Sequence, residues 1–339
     1  RIAGFELGPL PLDLVLRADG FSSWAVAFTA LMALFCAVYS IGWYRDRGGT
    51  PGRHDAWLLL ATAGAAAVLL ADSAMLLVIG WEVVTLSLFM LVVGGRPEGS
   101  EGAAKAFVML GLGDLALLVG VVLLALGQGD AARGFDLAAL RDSPLSTDSA
   151  SGAAAWLCLF VAAIAKAGAL PLHSWIPTMS KGTNAVVMAF LPGSLDKVLG
   201  IYLIARISLE WFETTGTVRW IVMLVGAVTL LSAVMMAMVQ HDLRRLLSYH
   251  AVSQVGYMLL GIGTGTVIGV VGGIFHMLNH AIYKACLFLG AGQIERESGT
   301  MDLSRLGGLA RTVPVTFGCV LVAALAISGI PPLNGVGSR

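Results

Sequence analysis

The sequence predicts an all-α, polytopic transmembrane helical bundle of about ten spans. Three observations carry that reading. Of 339 residues, 57% are hydrophobic and 12% charged, whereas a soluble domain carries roughly 25% charged residues. The apolar residues fall in blocks of about 17–25, the length a helix needs to cross a hydrocarbon core about 30 Å thick. Lys and Arg are also divided unevenly between alternate loops, as membrane topology requires.

The predicted spans lie near residues 24–44, 56–71, 73–95, 103–127, 153–175, 185–208, 219–239, 247–263, 268–291 and 313–330. Residues 55–95 are too long for one crossing, and Asp72-Ser73 in their middle mark a tight turn between two helices. Residues 127–152, with Asp130, Asp136, Asp142, Asp148, Arg133 and Arg141, read as one polar external loop that has room for a short interfacial helix. One set of loops and span ends holds Arg45, Arg47, Arg53, Arg96, Lys105, Lys181, Arg244, Arg245, Arg296, Arg305 and Arg311. The other holds only Arg133, Arg141, Arg206 and Arg219. The first set is therefore expected on the cytoplasmic side, with the span at residue 24 starting outside. No segment is long enough for a separate soluble domain, so residues 1–339 are expected to form one transmembrane domain.

Formal net charge is zero, from 21 basic and 21 acidic residues, which excludes a nucleic-acid patch or a field that steers acidic substrates. Cys36, Cys158, Cys286 and Cys319 are far apart, each inside an apolar block, with no zinc or iron–sulfur spacing. They read as small buried residues, and neither a metal nor a cofactor is expected in this chain. No charged region followed by a short apolar stretch and a small-residue cleavage site opens the sequence, so a secretory signal is not predicted.

Ionisable residues within hydrocarbon are costly and are functional candidates by default. Near the middle of their spans lie Glu82, Asp114, Lys166, Asp196, Lys197, His276, His280 and Lys284. His276, His280 and Lys284 recur every four residues, one helix stripe covering about 12 Å of axis. Histidine titrates near neutral pH and a desolvated lysine is readily neutralised, so such a stripe suits a proton wire. The other reading is that the histidines bond carbonyls and Lys284 snorkels. Glu82 and Lys166 sit at similar depth and invite pairing. A carboxylate beside Lys166 keeps it protonated, and moving it away favours release; a static ion pair is the alternative. Pro171 and Pro177 follow Lys166 closely and predict a helix broken after it. Pro192 and residues 329–335 mark further irregular points. Asp114 is either a second carboxylate on the path or a helix-packing hydrogen bonder. Asp242 reads as a helix cap, with Arg244 and Arg245 holding the cytoplasmic face.

At these residues the chain resembles the antiporter-like family shared by complex I, membrane-bound hydrogenases and multisubunit cation/proton antiporters. The matching passages are Trp81-Glu82, residues 166–177, residues 240–257 and residues 276–292, the last reading HMLNHAIYKACLFLGAG. The resemblance implies a coupled Glu82–Lys166 pair, Lys197 passing the proton inward, a relay along His276, His280 and Lys284, and a role for Gly113-Asp114. It implies a fourteen-helix fold with two inverted five-helix repeats, so the present chain is expected to lack helices at both ends. The ending PPLNGVGSR is similar to a form found in hydrogenase-type relatives, but Arg339 stands where those carry Glu or Lys, and guanidinium does not release a proton. Asp196 is a second departure, expected to pin Lys197 in its charged form. Three functions compete. The chain is a proton-translocating subunit of a redox-driven, NADH:quinone oxidoreductase-like or hydrogenase-like complex; a subunit of a multisubunit sodium/proton antiporter; or a membrane scaffold. The first two imply other membrane subunits as partners, with peripheral redox subunits for the first, in the prokaryotic inner membrane. Redox chemistry itself is expected in partner subunits rather than here.

Overall fold

The computed structural model describes residues 3–7, 10–47, 51–94, 99–128, 135–333 and 335. A short antiparallel hairpin, β1 (Ala3–Leu7) and β2 (Leu10–Leu14), leads into α1 (Gly20–Arg47), α2 (Pro51–Leu70), α3 (Ala74–Val93) and α4 (Gly99–Gly127). The loop after α4 holds α5 (Leu137–Asp142) and β3 (Leu145–Ser146), and Asp130 and Arg133 of that loop lie outside the described residues. α6 (Ala150–Ala167) and the short α7 (Trp175–Met179) follow. α8 (Ala185–Phe190), a π-turn (Leu191–Leu195) and α9 (Asp196–Leu209) then form one continuous column. β4 (Phe212–Glu213), α10 (Gly216–Met238), α11 (Leu243–Gly263), α12 (Val267–Ser298), α13 (Leu309–Thr312) and α14 (Pro314–Ile327) complete the chain.

Helices therefore occupy all ten predicted ranges. Among the described residues, six helical segments are long and apolar enough to cross a membrane: Gly20–Arg45, Ala74–Val93, Gly99–Gly127, Ala150–Ala167, Ala185–Leu209 and Gly216–Met238. α14 is shorter, at 14 residues. α2, α11 and α12 are long but interrupted by polar side chains such as His54, Gln254 and Lys284. The flanks of the bundle expose Val38, Ile41, Leu112, Leu126, Leu224, Leu231 and Ile268, while Lys166, Lys197, His280 and Lys284 are buried. That inversion of the water-soluble pattern is what lipid imposes.

Side-chain caps set several starts. Ser73 accepts from the Leu76 N–H, Thr215 from Val218, Asp242 from Arg245 and Thr266 from Gly269, each satisfying a donor that the first turn leaves open. Backbone bridges join Leu16 to Ala71, Ser73 to Asp136, and β3 to β4, which gathers these loops at one end. Asp242 pairs with Asp302 at the other. The described helices thus alternate in direction as the loop-charge count requires.

Glycines set the closest helix contacts. A Cβ on Gly64 would stand 2.9 Å from the Gly80 carbonyl oxygen, and one on Gly80 would stand 2.7 Å from that of Gly64. Gly226 and Gly256 reproduce this reciprocal contact between α10 and α11, at 2.9 and 2.6 Å. Without a hydrophobic force between helices in lipid, such backbone approach supplies the packing.

A repeat also appears at two helix ends, those of α6 and α14. Residues 162–172 and 323–333 align with Ala162/Ala323, Ala163/Ala324, Ala165/Ala326, Gly168/Gly329, Pro171/Pro332 and Leu172/Leu333. Both glycines end their helices in the left-handed conformation, at φ 75° and 72°. Ile327 stands where the first copy carries Lys166.

At the end that gathers these loops, Arg206 on α9 donates to Asp19 at 2.5 Å, to the Tyr202 hydroxyl at 2.9 Å and to Glu210, while Tyr202 donates to the Leu69 carbonyl at 2.8 Å. Burial works against the Asp19 carboxylate, but the Ser22 N–H and the Arg206 guanidinium outweigh it and hold its pKa below the ordinary value. At the opposite end Arg244 pairs with Glu295 and reaches the Ser180 and Lys181 carbonyls. The cysteines depart from expectation: Cys36 is buried, Cys158 and Cys286 are half-buried and Cys319 is exposed. α14, on the flank of the bundle, turns Cys319 outward.

Gly256→Val would place a side chain against the Gly226 backbone, so it should lower stability by about 1–3 kcal/mol in thermal unfolding of the detergent-solubilised protein. Gly272→Ala, which meets nothing within 4 Å, should leave the midpoint unchanged or raised. Asp19→Asn should be destabilising near neutral pH. Because the folded-state pKa of Asp19 is depressed, its contribution is complete above the unfolded value and disappears as pH falls through the folded one. The stability gap between wild type and Asp19→Asn should accordingly close on acidification.

Candidate functional site: a buried line of lysines

The site begins where α6 stops. Gly168 adopts a left-handed conformation that few other residues tolerate, and a Cβ there would lie 2.2 Å from Ile176 Cδ1. The chain then runs without regular helix to Ser174 and re-enters as α7. The expected break after Lys166 is therefore present, made by Gly168 and Pro171. Pro177 instead occupies the first turn of α7, where its missing N–H is harmless. Breaking a helix in the bundle interior leaves carbonyls open, and both find donors. The Trp175 indole donates to Ala165 O at 3.1 Å, and Lys197 Nζ to Ala167 O at 3.0 Å.

Lys197 reaches that carbonyl because α9 lies directly on α6: a Cβ on Gly200 would stand 2.6 Å from both Ala163 O and Ala167 N. The π-turn before it, which contains Pro192 and the Ser194 hydroxyl bonded to Phe190 O at 2.6 Å, adds a residue to the turn just before Asp196 and Lys197. Such turns recur at functional sites.

Lys166 is 1% exposed. Its Nζ donates to Thr85 Oγ1 at 2.5 Å and to Trp81 O at 3.4 Å, and stands 4.9 Å from the Trp81 ring. Trp81 Nε1 donates to Asp114 Oδ1 at 2.7 Å. Asp114 comes close because Gly113 lets α4 approach α6, a Cβ there being only 2.7 Å from that of Ala165. Asp114 thus both packs helices and keeps one oxygen, Oδ2, without a hydrogen-bond partner.

Two expected pairings are corrected. Glu82 faces outward on α3 and forms no ion pair with Lys166, although Lys166 and Asp114 remain within its electrostatic reach. Trp81 and Thr85, four residues apart, take the inward face, which leaves the residue after Trp81 turned away. Asp196 does not clamp Lys197: both its oxygens lack a hydrogen-bond partner, and the Lys197 ammonium turns to Ala167 O.

The α12 stripe faces inward as expected, with His276 1% exposed and His280 and Lys284 fully buried. Polar contacts reach it from α11. His276 Nε2 lies 3.0 Å from Gln254 Oε1, which also accepts from the Tyr283 hydroxyl at 3.1 Å, and Lys284 Nζ donates to Leu247 O at 3.1 Å. Lys197, Lys284, His276 and His250 surround the His280 ring electrostatically, and neither ring nitrogen of His280 has a hydrogen-bond partner. Lys166, Asp196, Lys197, His280 and Lys284 therefore form one series in which each group lies in the field of the next, with Asp114 also acting on Asp196 from α4. Arg339 lies outside the described residues.

Trp81, Thr85, Gln254 and Tyr283 were not singled out from sequence. Their signal was spacing: Thr85 follows Trp81, and Gln254 follows His250, by one helical turn of four residues.

A polytopic bundle with a broken helix beside a line of buried lysines defines an integral membrane protein whose interior carries titratable groups. The chain belongs to the NADH:quinone oxidoreductase/Mrp antiporter transmembrane family, whose model matches residues 71–338. It is 32% identical to hydrogenase-4 component B of Escherichia coli over 95% of this chain and 49% of that protein. It is also 32% identical to Na(+)/H(+) antiporter subunit A1 of Staphylococcus epidermidis, over 97% of this chain and 42% of that protein. The chain thus spans about half the length of the curated relatives it matches. Its fold is similar to a chain in the structure of the Mrp complex from Dietzia sp. DQ12-45-1b, with a TM-score of 0.85 at 29% identity over 95% of this chain and 59% of that one. A chain of the archaeal membrane-bound sulfane sulfur reductase matches with a TM-score of 0.83 at 27% identity, over 99% of this chain and 55% of that one.

Thr85→Val keeps the volume and removes the Lys166 acceptor, so it should destabilise the protein by about 1–2 kcal/mol. In a Lys166→Met background the same change should be nearly neutral. A double-mutant cycle on unfolding in detergent measures the difference.

Proposed function

We propose that this chain is the membrane-embedded, proton-translocating part of a redox-driven complex of the NADH:quinone oxidoreductase-like or membrane-bound hydrogenase-like kind. Its ten helical columns are ten spans of a multi-pass protein in the prokaryotic inner membrane. The observation that carries this reading is the series Lys166, Lys197, His280 and Lys284, each at most 1% exposed, running from α6 across α9 to α12. Buried titratable groups in this number are too costly to persist in a bundle that merely anchors its neighbours. Peripheral redox subunits supply the drive, and the lysines of this chain hold and release the proton. Glu82, in mid-span and turned outward, supports a neighbouring membrane subunit on the α3 face, because a carboxylate facing lipid is costly. The similarity to hydrogenase-4 component B supports the redox-driven form.

A second reading, a subunit of a multisubunit sodium/proton antiporter, is favoured by the 0.85 TM-score to the Mrp complex chain. Inverted vesicles carrying the complete complex separate the two. A pH gradient that forms on addition of the electron donor supports the first, and one that dissipates on a sodium pulse without any donor supports the second. In either case Lys166→Ala should lower the rate of proton movement more than about tenfold, or 1.4 kcal/mol, with the complex still assembled. Wild-type rates in Lys166→Ala vesicles would overturn the assignment of this line.

A further inference from the structure

Asp196 is a carboxylate that stands between two lysines of the line, and it is fully buried, with neither oxygen hydrogen-bonded. Carboxylates buried in this way are normally paired with cations or held by several donors. Two lysines are within electrostatic reach, Lys166 on α6 and Lys197 on the same helix, with Asp114 beyond them on α4. Yet both ammonium groups are turned elsewhere, to Thr85 Oγ1 and to Ala167 O. α11 and α12, which also pack on α9, bring His250, His280 and Lys284 to the far side of Lys197. α2, the remaining helix against α9, has no titratable side chain beyond its first two turns. A residue kept only for packing would be better served by an apolar group, and a structural ion pair would show the contact.

We propose that Asp196 is a proton-carrying station between Lys166 and Lys197. This rests on the proton-translocating reading above. The step balances without any further reactant. The Lys166 ammonium gives a proton to an Asp196 oxygen, leaving a neutral amine and a carboxylic acid. The acid then passes the proton to a neutral Lys197 amine, restoring the carboxylate and a Lys197 ammonium, which discharges towards His280. Each transfer takes a side-chain rotation or one bridging water, because neither lysine touches the carboxyl in the resting arrangement. The adjoining π-turn, in which the Ser194 hydroxyl donates to Ala189 O at 3.1 Å, immediately precedes Asp196, and such irregular turns recur at functional sites.

The test uses the complete complex in inverted vesicles, with Asp196→Asn, Asp196→Glu and Lys166→Ala compared for assembly, proton-transport rate and the pH profile of that rate. Asp196→Asn should assemble, transport more than about tenfold slower and lose one limb of the wild-type pH profile, and Asp196→Glu should restore the limb. Asp196→Asn at wild-type rate with an unchanged profile would overturn the proposal, as would equal losses in the Asn and Glu variants. If Asp196→Asn does not assemble, infrared difference spectra of the wild-type and Asp196→Glu complexes decide. A protonated-carboxyl band that moves between them supports the station, and no such band overturns it. Normal transport by Lys166→Ala would instead show that the broader function is wrong, so the two failures are distinguishable.

Discussion

Three buried lysines are held by main-chain carbonyls instead of carboxylates: Lys166 reaches Trp81 O beside the Thr85 hydroxyl, Lys197 reaches Ala167 O, and Lys284 reaches Leu247 O. A carboxylate partner would hold an ammonium charged, and losing that charge would cost the pair most of its attraction. A carbonyl is neutral, and an amine still has an N–H to offer it. The side chain therefore keeps its place in either protonation state. Much of the remaining structure serves to supply these carbonyls: the stop at Gly168 opens the one used by Lys197, and the approach of α9 at Gly200 brings the lysine within reach.

The same constraint explains why α4, α6 and α9 meet through small residues. Gly113, Ala165 and Gly200 bring the backbones together, so that Asp114, Lys166 and Lys197 come from three helices yet all act on Asp196. Larger residues would separate them by several ångströms, and in an apolar interior each would then stand as an isolated charge. Close packing and proton chemistry are thus one requirement in this part of the bundle.

Much of this was legible in sequence because lipid enforces simple rules. Apolar block length located the helices, loop charge gave their direction, and the four-residue spacing of His276, His280 and Lys284 fixed a common face. The position of the break was legible from Pro171. What sequence did not give was rotation about a helix axis where polar residues are adjacent. Trp81 and Glu82 are neighbours, so they diverge by about 100° on a helix, and depth alone could not say which turns inward. The partners of the α12 stripe were hidden for a related reason. Gln254 carries no charge, so its place on α11 was not weighted, although it holds His276 and Tyr283 together.

The repeat of residues 162–172 in 323–333 gives the molecule two helix stops of one design, of which only the first carries an ionisable side chain, since Ile327 replaces Lys166. An electric field exerts no net force on an uncharged side chain. The helix end at Gly168 is therefore built to respond to a change in the local field in a way that the one at Gly329 is not. Two stops of the same shape are in this way given different handles.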